Sequence, residues 1–403
     1  MMWKQLLAIA LQVVAINAIV WPLPPLIEEP QANTIELTAR PINQAKGLAG
    51  PGIGNLPLES AFNGTDLQWY GTVQVGTPPQ DFIIVFDTGS ADILIPSVAC
   101  TPANGCDQKA HFDGSKSSTF NNTGKAWRTG FGTGVGVGVG SAATPFCAGT
   151  TASDTVTVAG IAALGQPISL INRQTPTLFE STGIQGIFGM SPGALSTSKS
   201  ATYFQTLIKQ GSVKQAIFSL FLSPKKVGKA EITIGGIDQT KFTGNISYPP
   251  QNTALPYWNV QFQSITVNGK ASNVRGQTAI ADSGTSNIIA PFADAKAIYA
   301  LISPNIKLID PRGAYGIPCS QIKDLNATIT FAFGAGKYTI PSEELSVGEY
   351  PGMPGTCQTL INSSKDMNGW IIGGSLMKYY YTVWDVGNKR LGWATVAHSP
   401  KIQ

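Results

Sequence analysis

The sequence predicts an all-β, bilobal fold, in which two similar β-rich lobes enclose a cleft. Three observations lead to this prediction. The 403 residues include 44 glycines and 27 prolines, and only 12% of the chain is charged, a composition typical of strands and turns. Short apolar runs alternate with Gly, Pro or Asn turns. A group of landmarks around an aspartate in the first half of the chain recurs around an aspartate in the second half.

The strand pattern begins at "LQWYGTVQVGTPPQDFIIVFD", where apolar runs are joined through a Gly-Thr-Pro-Pro turn. Two stretches indicate helices instead. "SATYFQTLIKQG" ends at Gly211, and glycine commonly ends a helix. "PFADAKAIYALI" starts at Pro291 and is the second predicted helix.

The repeat decides the architecture. Asp87 lies in "VFDTGS" and Asp282 in "IADSGT", and each aspartate follows an apolar run. Each copy is followed later by an apolar pair ending in glycine, "GIFG" at 186–189 and "IIGG" at 371–374. Because four landmarks recur in order, we expect two similar lobes whose aspartate loops face each other across a pseudo-twofold axis.

The first residues of the chain have the pattern of a secretory signal peptide. Lys4 precedes an apolar run that ends in small residues near Ala18, and prolines follow at once. A membrane anchor is the alternative, but the run is short for a span. The Pro-rich stretch after it, in which "TIELTARPI" resembles a strand, is interpreted as a removable segment. The predicted division is signal peptide 1–18, propeptide 19–53, N-terminal lobe 54–238 and C-terminal lobe 239–403.

Charge and composition exclude several function classes. The net charge of +4 reflects few acids, and the basic residues form no run or aromatic platform, so no nucleic-acid site is predicted. The chain has no C-x-x-C, no H-E-x-x-H and two histidines, so no metal site is predicted. We expect a secreted protein, with the vacuole as the other destination, and no membrane anchor at either end.

Secretion places the five cysteines in an oxidising compartment. Cys100 and Cys106 bracket a tight loop, Cys319 and Cys357 could pair, and Cys147 would be left over. Spacing alone does not determine the pairing. Five sequons suit a secreted chain; they are at Asn63, Asn121, Asn245, Asn326 and Asn362.

Two aspartates brought together can hydrolyse an amide without a covalent intermediate. Neighbouring carboxylates cannot both ionise cheaply, so the pair shares one proton. The ionised member can take a proton from a water molecule, and the protonated member can hydrogen-bond the carbonyl under attack. A single D-x-G turn is a common Asx-type turn, but the repeated pattern predicts catalysis by Asp87 and Asp282.

The residues after each aspartate suit this task, and each has an expected role. Gly89 and Gly284 allow a tight turn that aims backbone amides at the carboxylates. The hydroxyls of Ser90 and Thr285 can bond the outer carboxylate oxygens. The remaining pair, Thr88 and Ser283, can cross-link the two loops through backbone groups.

From about Gly54 to its end, the chain resembles a pepsin-like aspartic endopeptidase of the fungal secreted type. The double D-[TS]-G signature is highly specific. "PLESAFNGTDLQWYGTVQVGTPPQDFIIVFDTGS" is similar to the mature N-terminus of this family, "CTPANGCDQKAHFDGSKSSTF" to its small disulfide loop, and "YYYTVWDVGNKRLGWA" to a C-terminal stretch. The resemblance implies a bilobal fold with the cleft between lobes, no cofactor, and a monomer that cleaves proteins or peptides at acid pH.

The resemblance also implies a flap, a hairpin that closes over the cleft. The matching stretch is "TGFGTGVGVGVGS", whose alternate glycines suit a flexible lid; a plain Gly-rich linker is the alternative. Phe131 stands where the family normally has a tyrosine, and Leu94 where it tends to have the tryptophan that bonds this tyrosine. Because both ends of one hydrogen bond are apolar together, we expect an active enzyme with a less rigidly closed flap.

By family position, several residues are expected to bind substrate. The pocket before the scissile bond favours large hydrophobic residues, although ordinary core packing is an equal alternative for Leu178 and Ile187. The expected substrate-binding residues are Phe131, Gly132, Thr133, Leu178, Phe179 and Ile187.

Two departures from the family pattern reduce the charge expected near the aspartates, since Gly374 and Gln185 stand where the family often has acids. The propeptide carries only Arg40 and Lys46 after the signal peptide, which suggests a weakly held zymogen.

Two other functions fit parts of the sequence. "GMSPG" at 189–193 matches the G-x-S-x-G motif of serine hydrolases. Its Pro192 has no backbone N–H to donate to an oxyanion, which argues against this function. The second alternative is a catalytically silent pepsin-like protein that binds peptides or proteins, although such relatives usually lose an Asp or a Gly that this chain keeps.

Overall fold

A computed structural model describes residues 52–60, 68–132, 144–176, 178–179, 183–224, 230–274, 276–365 and 367–397. The predicted signal peptide, nearly all of the predicted propeptide with its suggested strand, and residues 133–141 of the predicted flap lie outside these residues.

Strands dominate the part of the chain that the structure describes. In chain order they are numbered β1 to β26: Gly54–Pro57, Glu59–Ser60, Trp69–Val75, Gln80–Asp87, Ile93–Pro96, Asn121–Gly130, Phe146–Val158, Ile161–Gln174, Gly186–Gly189, Ile217–Phe221, Glu231–Ile234, Phe242–Ser247, Asn259–Val267, Lys270–Ala271, Gln277–Ala281, Ile288–Pro291, Lys307–Leu308, Tyr315–Pro318, Ile329–Phe333, Gly336–Ile340, Ser346–Glu349, Thr356–Thr359, Ile361–Ser364, Trp370–Ile372, Tyr380–Asp385 and Arg390–Val396.

Helices are short and few among the described residues. The α-helices are α1 (Tyr203–Gln210), α2 (Phe292–Ile302) and α3 (Gly374–Met377). Short 3-10 turns cover Pro102–Asn104, Gly114–Lys116, Gly193–Leu195, Gln239–Lys241, Cys319–Asp324 and Ser342–Glu344.

Both predicted helices are present. Helix α1 begins one residue after Thr202, which forms a reciprocal capping box with Gln205, and it ends at Gly211 in the left-handed conformation. Its start is later than the predicted stretch because Ser200 and Ala201 precede the cap. Helix α2 follows Pro291 directly. Helix α3 was not predicted, since four residues are too few to show a helical period.

Each half of the chain builds an eight-stranded sheet. The first has the order β2-β3-β4-β9-β5-β8-β7-β6. The second has the order β20-β19-β13-β15-β24-β16-β23, with β14 paired to β13. A six-stranded sheet, β1-β11-β10-β25-β26-β12, takes strands from both halves and joins them through the β10–β25 ladder.

The centres of the two large sheets have the same pairing. Strand β4, which ends in Asp87, runs parallel to β9, and β9 runs antiparallel to β5. Strand β15, which ends just before Asp282, runs parallel to β24, and β24 runs antiparallel to β16. Strands β9 and β24 contain the repeated "GIF" and "II" runs. The predicted two-lobed β architecture is therefore confirmed, and the repeat in sequence is a repeat in sheet pairing.

Aromatic rings pack the shared sheet against α1 and the second half of the chain. The ring of Phe218 stacks on Trp384 at 5.5 Å between centroids, and Trp258 meets Trp384 edge-on at 5.7 Å. Phe204 of α1 lies 5.1 Å from Phe218. Such ring pairs contribute about 0.5–1.5 kcal/mol each beyond burial, so this cluster holds the two halves in register beneath the site.

Candidate active site

The two aspartates lie at equivalent ends of the two sheets. Asp87 is the last residue of β4, and its carbonyl accepts the N–H of Met190 at 2.8 Å. Asp282 follows β15, and its N–H donates to the carbonyl of Ile372 at 3.0 Å. The side chains are 8% and 7% exposed. The two copies of the repeat therefore place two nearly buried carboxyl groups at the ends of β4 and β15.

Each carboxyl group is held by its own loop in the same way. The N–H of Gly89 donates to Asp87 Oδ1 at 2.8 Å, and the Ser90 hydroxyl donates to Asp87 Oδ2. The N–H of Gly284 donates to Asp282 Oδ1 at 2.8 Å. The hydroxyl of Thr285 donates to Asp282 Oδ2 at 2.5 Å. Each loop thus fixes the rotation of its carboxyl group with one amide and one hydroxyl.

The residues between aspartate and glycine tie the two loops together. The N–H of Ser283 donates to Thr88 Oγ1 at 2.9 Å, and the N–H of Thr88 donates to Ser283 Oγ at 3.1 Å. The same hydroxyls then donate to strand carbonyls of the opposite half, Thr88 to Ala281 at 3.1 Å and Ser283 to Phe86 at 2.6 Å. This reciprocal cross-link sets the separation of the two carboxyl groups.

Glycine is required beside each aspartate because the opposite carboxyl group occupies the space of a side chain. A Cβ on Gly89 would lie 2.6 Å from the Asp282 carboxyl carbon. A Cβ on Gly284 would meet Asp87 Oδ1 and would lie 2.7 Å from the Asp87 carboxyl carbon. The two carboxyl groups are therefore packed crosswise over the two loop glycines.

Burial and proximity favour one shared proton. Burial raises the pKa of Asp87 well above its usual range, and the neighbouring charge and hydrogen bond of Asp282 raise it further. The bonds from Ser90 and Gly89 oppose this rise. Burial, followed by the charges of Asp282 and Asp87, also raises the pKa of Tyr257. The site therefore holds a protonated carboxyl group at Asp87 above the pH at which a free aspartate ionises.

A cavity of about 360 Å³ opens over the pair. Of the predicted substrate-binding residues, Phe131, Gly132, Leu178 and Ile187 line it. Phe179 does not; it is 3% exposed and lies in the apolar cluster that also contains Leu178 and Ile187. Thr133 lies outside the described residues.

Sequence reasoning missed several residues of the cleft. Gln68 donates to the Gly284 carbonyl at 2.8 Å and lines the cavity with Tyr257. Gln68 directly precedes β3, and Tyr257 lies two residues before β13. These strands flank the two aspartate strands, so the repeat itself was a signal that could have found both. Residues of the second half also line the wall: Ile280, Ser364, Met367 and Ile371.

The arms of the predicted flap form a hairpin. Strands β6 and β7 pair antiparallel up to Gly130 and Phe146. Phe131 follows, half-buried, and packs against a cluster that includes the buried Leu94 and Trp127. The indole N–H of Trp127 has no hydrogen-bond partner among the described residues. The two family departures, at 131 and 94, thus meet in one apolar cluster beneath the flap arms.

The other two positions at which the chain departs from the family pattern, Gly374 and Gln185, have different surroundings. Gly374 donates its N–H to the Thr285 carbonyl at 2.8 Å, so the missing acid is next to the Asp282 loop. The amide group of Gln185 accepts the N–H of Ile83 at 2.8 Å and supports the sheet. Only the change at Gly374 therefore borders the candidate site.

Two disulfides are present, Cys100–Cys106 and Cys319–Cys357, with Cα separations of 5.5 and 4.8 Å. The second links β22 to the 3-10 turn that directly follows β18. Strands β18 and β22 are neighbours in a four-stranded sheet of order β17-β18-β22-β21. Cys147 is free and buried, and burial raises the pKa of its thiol. Its thiolate is therefore disfavoured.

The serine-hydrolase alternative finds no support in the geometry. The hydroxyl of Ser191 has no hydrogen-bond partner in the described part of the chain, so no base is in place to activate it.

Within the described residues, no three His, Cys, Asp or Glu side chains cluster as metal ligands. None of the described helices has the length and hydropathy needed to cross a membrane.

Comparisons with known proteins agree with this site. A sequence model of the family "Eukaryotic aspartyl protease" matches residues 68–396. The chain is 33% identical over 349 residues to embryonic pepsinogen of Gallus gallus, covering 86% of this chain and 85% of that protein.

Further relatives are also animal proteins. Identity is 31% over 343 residues to pepsin A of Rhinolophus ferrumequinum, covering 85% of this chain and 83% of the relative. It is 30% over 344 residues to chymosin of Camelus dromedarius, covering 85% and 84%. The chain therefore belongs to the pepsin-like family of aspartic endopeptidases.

Proposed function

We propose that the protein hydrolyses peptide bonds at acid pH with a water molecule activated between Asp87 and Asp282. The observation that carries this proposal is the pair of nearly buried carboxyl groups, each packed against the other's loop glycine and each fixed by an amide and a hydroxyl. No nucleophilic side chain is needed, because water attacks the scissile carbonyl directly.

The shared proton gives the two carboxyl groups different roles. The protonated member donates a hydrogen bond to the substrate carbonyl, while the ionised member takes a proton from the attacking water. The tetrahedral intermediate then breaks its C–N bond as a proton passes to the leaving amine. The cross-link through Thr88 and Ser283 keeps the two oxygens aligned throughout, which is the positioning that such a step requires.

Apolar walls support a preference for large hydrophobic residues at the scissile bond. Leu178, Ile187 and Phe131 line one side of the cavity, and Ile280 and Ile371 line it from the second half. Burying one large apolar side chain contributes about 1.5–3 kcal/mol. The substrate should therefore present hydrophobic residues on both sides of the cleaved bond.

The remaining expectations complete the proposal. The enzyme is a monomer of the fungal secreted type, exported to the exterior or the vacuole, with signal peptide 1–18 and propeptide 19–53. The propeptide is weakly held and is removed readily in acid. The two lobes are 54–238 and 239–403, in keeping with one large sheet in each half.

Cleavage of denatured haemoglobin at pH 3–5 tests this function. We expect hydrolysis that pepstatin abolishes and that Asp87→Asn lowers by several orders of magnitude. Thr243→Val, an exposed change on β12, is the matched control and should cleave as the wild type does. Binding of the protein substrate without hydrolysis would favour the silent pepsin-like alternative.

A further inference from the structure

A second cavity, of about 400 Å³, lies beside the cleft and shares the lining residue Tyr257 with it. Its walls come from both halves of the chain. Segment 189–193 and the start of α1 form one wall, and the loop 251–258 forms the other. Lys389, in the turn between β25 and β26, closes one edge.

Two polar groups in this cavity lack partners. Ser191 is only 4% exposed, and its Oγ makes no hydrogen bond within the described residues. The Nε2 of Gln251 is likewise buried without an acceptor. Since buried polar groups are almost always hydrogen-bonded in native proteins, this pair of donors calls for acceptor oxygens from a ligand.

The rest of the lining is apolar with one cation. Phe204, Leu255 and Trp258 contribute apolar surface. Lys389 is exposed, and its ammonium group forms no ion pair with a described residue. A chain segment with a hydrophobic side chain, backbone carbonyls and a carboxylate would satisfy all three features of the site.

The cavity is preformed and is tied to the aspartate loop. Asn259 holds the loop that forms one wall, accepting the N–H of Asn252 at 2.7 Å and donating to the Tyr257 carbonyl at 2.8 Å. The N–H of Ser191 donates to the Ser90 carbonyl at 2.8 Å. The opposite wall is therefore bonded directly to the loop that holds Asp87.

We propose that this cavity binds the part of the substrate that follows the scissile bond, about three to five residues beyond it, and prefers a hydrophobic residue followed by an acidic one. The proposal rests on the proposed peptidase function. Leu178 and Ile187, assigned to the pocket before the scissile bond, line only the first cavity. Because Tyr257 lines both cavities, a substrate bound over the carboxyl pair can extend past Tyr257 into the second cavity, and an extended chain advances about 3.3 Å per residue.

Three peptides test the proposal. All share the residues up to the second position after the scissile bond, where the short peptide ends as an amide. The two long peptides continue with Gly-Phe-Glu or Gly-Phe-Gln, also as amides. KM and kcat are measured at low salt and pH 5 for the wild type, Lys389→Gln and Ser191→Leu. Lys270→Gln changes an exposed lysine that lines neither cavity and is the matched control.

In the wild type and Lys270→Gln, we expect the KM of the Glu peptide to be about two- to fivefold below that of the Gln peptide, as for an exposed ion pair. Lys389→Gln should abolish that difference, and Ser191→Leu should raise the KM of both long peptides to that of the short one. Equal KM values for short and long peptides in the wild type would overturn the proposal, as would a Glu preference that survives Lys389→Gln.

A binding measurement separates this proposal from the proposed function. Fluorescence anisotropy of labelled long peptides on Asp87→Asn should show the same Glu preference and the same loss with Lys389→Gln added. If no peptide is cleaved but this preference persists, the peptidase function fails and the cavity assignment stands. If cleavage occurs without any such preference in binding, the cavity assignment is wrong.

Discussion

Thr88→Val should destabilise the protein by about 2–6 kcal/mol, because it removes one hydroxyl from the cross-link between the aspartate loops. The change deletes the bond from the Ser283 N–H at 2.9 Å and the bond to the Ala281 carbonyl at 3.1 Å. Thr88 is 0% exposed and Ser283 is 4% exposed, so water does not replace the lost partner. Valine has nearly the volume of threonine, so the loss is one of hydrogen bonding.

The magnitude follows from the two groups left behind. A buried donor or acceptor without a partner costs about 1–3 kcal/mol, and the change leaves one of each. Urea unfolding measures the difference, with an unchanged slope showing that the same surface is exposed on unfolding. Thr88→Ser keeps the hydroxyl and should lose only about 1 kcal/mol, and the exposed Thr243→Val should stay within about 0.5 kcal/mol of the wild type.

A double-mutant cycle with Ser283→Ala sharpens the test. The two side chains bond each other's backbone, so we expect a coupling energy of about 0.5–3 kcal/mol. Activity should fall with stability, because the cross-link sets the spacing of the carboxyl groups. A Thr88→Val variant within about 0.5 kcal/mol of the wild type would refute the argument that the cross-link stabilises the joined loops.

Three further results are expected. Gly89→Ala should lower kcat/KM by about 10²-fold or more, because the new Cβ would lie 2.6 Å from the Asp282 carboxyl carbon. Steady-state kinetics measure this loss, and an unchanged circular dichroism spectrum shows that the fold is kept. Near-normal activity would contradict the crosswise packing of the carboxyl groups. Asp87→Asn should gain stability over the wild type as pH rises from about 4, because the raised pKa of Asp87 makes the wild-type free energy of unfolding fall there. The fall is about 1.4 kcal/mol for each pH unit over which this carboxyl group is protonated in the folded chain and ionised in the unfolded chain. Urea titrations at pH 3, 5 and 7 measure the difference between the two proteins, and a pH-independent difference would refute the prediction. Phe131→Tyr alone should change kcat/KM by no more than about threefold, because Leu94, which stands where the family tends to have the tryptophan that bonds this hydroxyl, stays apolar. A tenfold effect in peptide kinetics would contradict this.

Much of the fold could be predicted from the sequence, because each copy of the repeat meets the same structural requirements. Each aspartate needs a buried strand before it, a glycine beside it and a second apolar strand beneath it, and each requirement fixes a residue type. Those residue types recur at 87 and 282, and the β4–β9 and β15–β24 pairings share the same parallel geometry.

Other features left no local signal. The six-stranded sheet joins strands far apart in the chain, such as β1 with β11 and β10 with β25, and pairing at that distance is not encoded in a short pattern. Family position predicts Phe179 on the cavity wall, but this residue is buried in the apolar cluster and does not line the cavity. Asn362 was a sequon, yet it is 4% exposed and accepts a bond from Gln358, so its side chain is not open to modification.

The pH dependence of kcat/KM for the purified mature enzyme tests the central claim most directly, namely that Asp87 and Asp282 share one proton. The wild type should give a bell-shaped profile at acid pH, since the pair must carry a single negative charge. Asp282→Asn should remove nearly all activity at every pH. A profile that Asp282→Asn leaves unchanged in height and shape would contradict the account.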